Sequence, residues 1–159
     1  MRVASLITSP TRYRSILALL ISCAFLLAGN GVVNTLVPVR AQIESFGPLQ
    51  IGLLGSVYYG GMLAGTILTP WLVQRSGHVR ALTAGIALAT MTTLAFAMHV
   101  SPWSWIILRA VMGFCFAGLY ATIESWLNGK ASNADRGTIL GIYMVVQCAA
   151  GAVGSQLLY

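Results

Sequence analysis

The sequence predicts an all-α fold, a polytopic transmembrane helix bundle of about five spans, and three observations carry that expectation. Of the 159 residues, 57% are hydrophobic and 8% are charged, whereas an ordinary soluble domain carries about a quarter charged residues. The apolar residues gather into long runs, approximately residues 15–37, 49–73, 81–98, 103–127 and 137–159. The charges fall almost wholly between them. At about 1.5 Å rise per residue, each run reaches about 27 Å or more, enough to cross the hydrocarbon core with varying tilt. The runs lack the period-two alternation of a membrane barrel, so strands are not expected.

The chain divides into an amino-terminal segment, residues 1–14, and a transmembrane bundle, residues 15–159. Arg2, Arg12 and Arg14 precede the first run, Arg75 and Arg80 separate the second from the third, and Lys130 and Arg136 separate the fourth from the fifth. The opposite connections hold Arg40 alone among Lys and Arg. By the positive-inside rule the amino terminus is expected in the cytoplasm and the carboxyl end outside, in an inner membrane if the source is bacterial. The net charge of +6 follows from this asymmetry, with contact to anionic membrane lipid as a further use for it. It gives no reason to expect nucleic acid as a partner.

Within the first run, Leu20-Ile21-Ser22-Cys23 has the pattern of a lipoprotein cleavage site, but the hydrophobicity continues past Cys23 to Val37 and further spans follow, so cleavage is not expected. Asn30 and Asn34 lie four apart, on one helical face. In the second run, Gly60-Gly61-Met62-Leu63-Ala64-Gly65-Thr66 has the glycine spacing of a phosphate loop, yet Thr66 stands where lysine is needed. Close helix packing is the better reading: Gly52, Ser56 and Gly60 repeat at four-residue spacing, as do Gly61 and Gly65, and Gly113, Gly137, Gly141, Gly151 and Gly154 give later spans similar small faces.

The fourth run carries the most informative polar pattern. Arg109, Gly113, Phe116, Tyr120 and Glu124 fall within about 80 degrees of one another at 100 degrees per residue. Asn30 lies about 22 Å up the first run and Arg109 about 9 Å down the fourth, so the two are nearly level in a core of about 30 Å. Asn30, Asn34, Arg109, Tyr120 and Glu124 are therefore expected to line a common cavity. The plainer reading makes the asparagines helix glue and lets Arg109 snorkel to the surface. Inside a span Arg109 needs a partner. Glu124 is too distant along the axis, whereas Glu44 could approach from outside, and an anionic solute or a carboxylate from elsewhere would also serve.

No enzyme is expected. His78, His99, Glu44, Glu124 and Asp135 are scattered, so no catalytic set can be assembled. Cys23, Cys115 and Cys148 have no metal-site or redox spacing; they read as apolar fillers, and neither a metal nor a cofactor is expected.

The tract Pro70-Trp71-Leu72-Val73-Gln74-Arg75-Ser76-Gly77-His78-Val79-Arg80 resembles the loop signature of the major facilitator superfamily, Gly-x-Leu-Ala-Asp-Arg-x-Gly-Arg-Arg, at Arg75, Gly77 and Arg80. Pro70, Gln74 and His78 depart from it, and Gln74 replaces the aspartate that helps latch the loop in that family. Arg109-Ala110-Val111-Met112-Gly113 resembles the fourth-helix Arg-x-x-x-Gly signature, and Arg136-Gly137-Thr138-Ile139-Leu140-Gly141 resembles the opening of the fifth helix. The tract from Gly118 to Asn128 is similar to a little-studied bacterial permease branch.

The resemblance implies two six-helix halves around a midplane cavity, with alternating access by rocking. The chain would then be a partial amino-terminal half of a transporter for a small solute, ion-coupled (to a proton, for example) or facilitated, with the second half missing. Gln74, Arg75, Gly77 and Arg80 would form a gating loop. The competing function is a small non-transporting membrane protein that acts as an assembly or interaction partner.

Overall fold

The computed structural model describes residues 10–131 and 135–157. Arg2 and the remainder of residues 1–9, residues 132–134, and Leu158 and Tyr159 of the fifth expected span lie outside the described residues. The elements are α1 (Pro10–Ile43), α2 (Pro48–Ser76), α3 (His78–Met98), α4 (Pro102–Lys130) and α5 (Arg136–Gln156), each with a stretch long and apolar enough to cross a membrane. Helices outrun the apolar segments at several ends. Thus α1 continues through Pro38 to Ile43, and α2 holds Pro70 inside its last turns, as membrane helices tolerate when surrounding groups satisfy the freed carbonyls.

The connections are short because helix-end chemistry closes them. After α1, Ser45 adopts φ 60, and the amides of Ser45 and Phe46 return to the carbonyls of Gln42 and Ala41 at 3.0 and 2.9 Å, a Schellman closure. Pro48 then opens α2 while Gln50 Oε1 accepts from the Gly47 amide at 2.9 Å, one arm of a capping box. A single residue, Gly77, joins α2 to α3.

The described residues form two compact units, one of residues 36–130 and the other of the described residues up to 35 together with those from 131 onward. In the first, α4 is the central element: half of its apolar window is buried, against 22% for α2 and 17% for α3. It meets α2 backbone to backbone. A Cβ added at Gly61 would strike the Ala110 carbonyl, one at Gly65 the Phe114 carbonyl and the Ala117 methyl, and one at Gly113 the Tyr58 carbonyl. Contact this close is possible only where small residues stand on both helices, and in lipid it supplies the dispersion energy that hydrophobic burial supplies in water. On the other flank, α3 buries Ala89, Thr92 and Phe96, and Gly85 lies against the Leu119 side chain.

In the second unit, α1 and α5 use the same device. Gly31 abuts the Gly151 carbonyl, and Gly154 abuts that of Ala28. Cys23, Leu27 and Asn30 of α1 and Tyr143 and Ala150 of α5 are buried. By contrast Gly52, Gly60, Gly137 and Gly141 have nothing within 4 Å of an added Cβ, and Ser56 is exposed. Four-residue spacing shows that a smooth face exists; it does not say which of two faces on α2 the neighbour takes.

This difference is measurable. Gly61→Leu is expected to cost about 1–3 kcal/mol through overpacking against α4, whereas Gly52→Leu stays within about 0.5 kcal/mol. Thermal unfolding in detergent compares them, and equal melting temperatures would refute the α2–α4 contact.

Candidate functional site

Arg109 sits one turn before Gly113, where the glycine contact brings α2 nearest to α4. It is 4% exposed. Its Nε donates to the Leu54 carbonyl at 3.2 Å, and its guanidinium lies 4.5 Å from the centre of the Tyr58 ring. A carbonyl that already accepts its helical bond has a second lone pair for such a donor, and a desolvated cation over a tyrosine face gains about 0.5–2 kcal/mol. Set against about 2.5–3.5 kcal/mol for inserting arginine at mid-span, these contacts offset much of the cost. Arg109 is thus turned into the protein rather than snorkelling outward. Glu44 does not approach it; that carboxylate pairs with Arg40 at 3.5 Å, one helical turn away on the same element's end.

The remainder of the α4 stripe grades from buried to exposed. Phe116 is buried, its ring centre 6.1 Å from that of the half-buried Tyr120, and Glu124 is exposed. Asn30, 8% exposed, and the half-buried Asn34 belong to the other compact unit.

The expected gating loop proves to be two helix ends and one linking residue. Gln74 and Arg75 close α2, and Arg80 lies in the first turn of α3. Gly77 holds φ 81 and ψ 160, a region open essentially to glycine alone. Its amide donates to Val73 at 2.8 Å and its carbonyl accepts from Ala81 at 3.1 Å, so it finishes one helix and begins the next. The Arg75 guanidinium stacks 4.3 Å from the Trp71 ring centre, one turn back. His78, where the family signature has a basic residue, shares a 3.0 Å hydrogen bond with Ser125 of α4.

Sequence reasoning passed over three participants. Tyr58 is one aromatic among many in an apolar span, and nothing in its spacing marks it as the partner of Arg109. Trp71 was findable, since it precedes Arg75 by four residues. Trp105, 1% exposed, ties together the end of the unit opposite Gly77: its Nε1 donates to the His99 carbonyl at 2.9 Å, and Phe46, tilted, and Phe96, edge-on, lie with ring centres 5.2 and 5.6 Å from its own.

The profile of the Major Facilitator Superfamily matches residues 19–158. The chain belongs to the major facilitator superfamily. Among its curated relatives, an MFS-type transporter of Enterobacter sp. (strain 638) is 30% identical over 148 residues, covering 93% of this chain and 39% of the relative. The MFS-type transporter YcaD of Escherichia fergusonii is 30% identical over 144 residues, 91% of this chain and 38% of that one, and YcaD of Escherichia coli O45:K1 is 29% identical over 147 residues, 92% and 38%. The chain therefore spans about two fifths of the length of the relatives it matches. No solved structure matches it. As a superfamily member with five helices among its described residues long and apolar enough to cross a membrane, it is an integral membrane protein.

Gly77→Ala is expected to destabilise the α2–α3 joint by about 1–3 kcal/mol, because alanine must be forced into a glycine-only region. Space is not the obstacle, since an added Cβ meets nothing within 4 Å. Gly129→Ala, equally unobstructed, should be neutral or slightly stabilising; if both variants melt alike, the joint is not strained by a side chain.

Proposed function

We propose that this chain forms part of a secondary transporter that moves a small solute by alternating access, with Arg109 as the group that recognises an anionic or strongly accepting part of that solute. The observation that carries this reading is a positive charge held deep in a span by Leu54 and Tyr58. Such a charge is costly to keep without use, and the planar guanidinium matches the geometry of a carboxylate or phosphate group. Tyr120 and Glu124, on the α4 stripe with Arg109, would line the same path, and a proton is a suitable coupling ion. The second half of the transporter would complete the cavity.

The α2–α3 joint is proposed as the gating element. Gly77 supplies a break with no slack, and Arg75, Gln74 and Arg80 would exchange partners across the two halves as they rock. The charge asymmetry supports a cytoplasmic amino terminus and an inner-membrane location. A reporter active only outside the cytoplasm should be active when fused after Val100 and silent when fused after Gly77; the reverse pattern would invert the topology.

Measured in the complete transporter, Arg109→Gln is expected to lower solute flux by about tenfold or more, because a hydrogen bond to a charged group is worth about 1.5–3 kcal/mol. Membrane insertion should be unaffected. Arg109→Lys should rescue only part of the flux, as the ammonium lacks the planar fork. Normal flux in Arg109→Gln would remove the recognition role.

A further inference from the structure

Beside the α2–α3 joint, a half-open groove of about 350 Å³ runs between α2, α3 and α4. Three hydroxyls line it, yet none is available to a ligand as a donor. Thr69 donates to the Gly65 carbonyl at 2.6 Å, Ser76 to that of Leu72 at 2.7 Å, and Thr122 to that of Gly118 at 2.7 Å. Each is bonded back onto its own helix. With Leu72, Leu88 and Phe114 also in the walls, the groove is apolar along its length, and Leu72 and Leu88, 39% and 40% exposed, leave its flank open. One cation stands at one end: Arg80, in the first turn of α3.

A polar solute needs several converging polar groups, and this groove offers one charge and a greasy slot. We propose that the groove between α2, α3 and α4 holds an acyl chain of an anionic phospholipid whose phosphate rests on Arg80. The distances agree. Arg80 stands at the helix-end level where headgroups lie, and Leu88, eight residues on, is about 12 Å deeper along the axis. Basic pockets between transmembrane helices are favourable places for anionic headgroups, and the charge raises affinity for an anionic over a zwitterionic lipid by about fivefold.

The test is to titrate the purified chain in detergent with phosphatidylglycerol or phosphatidylcholine of identical acyl chains and to count bound lipid by native mass spectrometry. The wild type is expected to retain phosphatidylglycerol about fivefold better. Arg80→Gln should abolish that preference, and Ala84→Phe, which fills the groove from α3, should abolish retention of both lipids. Leu88→Trp fills the same space from the open flank, and the result is read on whichever filled variant keeps wild-type circular dichroism. Retention unchanged in that variant would mean ordinary lipid around the helices and would overturn the proposal, as would a preference surviving Arg80→Gln. Millimolar inorganic phosphate should displace nothing; if it releases the lipid, the site is one for free anions and the proposal fails.

Discussion

The direct contact of the α2 and α4 backbones governs the rest of the unit of residues 36–130. With glycine at positions 61, 65 and 113, each helix lays its carbonyls against the other's main chain, close enough for weak Cα–H···O interactions as well as dispersion. The same closeness puts the Leu54 carbonyl within 3.2 Å of Arg109 Nε. Were the axes an ångström or two further apart, the guanidinium would lose both its carbonyl and its ring. A buried charge is thereby made tolerable by residues that have no side chain at all.

Polar groups in the spans divide by how far they reach. Hydroxyls such as Ser56, Thr66, Thr83, Thr90 and Thr93 donate to the carbonyl four residues earlier, which satisfies the donor without a neighbour. They can therefore face lipid. Longer or more rigid groups cross between elements: Arg109 to Leu54, Trp105 to His99, His78 to Ser125. Those crossings mark the two ends and the middle of that unit and fix its register.

Much of this was legible beforehand. Long apolar runs and inter-run charges gave the helices and their order, because a bilayer leaves few alternatives to a helix, and the Arg75-x-Gly77 and Arg109-x-x-x-Gly113 tracts carried the family. What could not be read was partner choice. Glu44, just before the second span, was expected to be able to approach Arg109 from outside, but its carboxylate pairs with Arg40 four residues back. Hydropathy likewise ended the second span at Val73 and left a loop, whereas α2 continues to Ser76 because Arg75 can lie over Trp71 and Gly77 alone makes the break. Helix ends are decided by local capping and stacking that a hydropathy window averages away.

The one-residue link at Gly77 has a consequence for phase. In most membrane proteins a connecting loop absorbs an added or deleted residue, so neighbouring spans drift independently over evolutionary time. Here the rotational setting of α3 is inherited from that of α2. One residue more or fewer would turn α3 by about 100 degrees and shift it by about 1.5 Å, carrying Ala89, Thr92 and Phe96 off α4. The two spans behave as a single bent rod whose faces are keyed to each other, and any change of length in one is written into the orientation of the next.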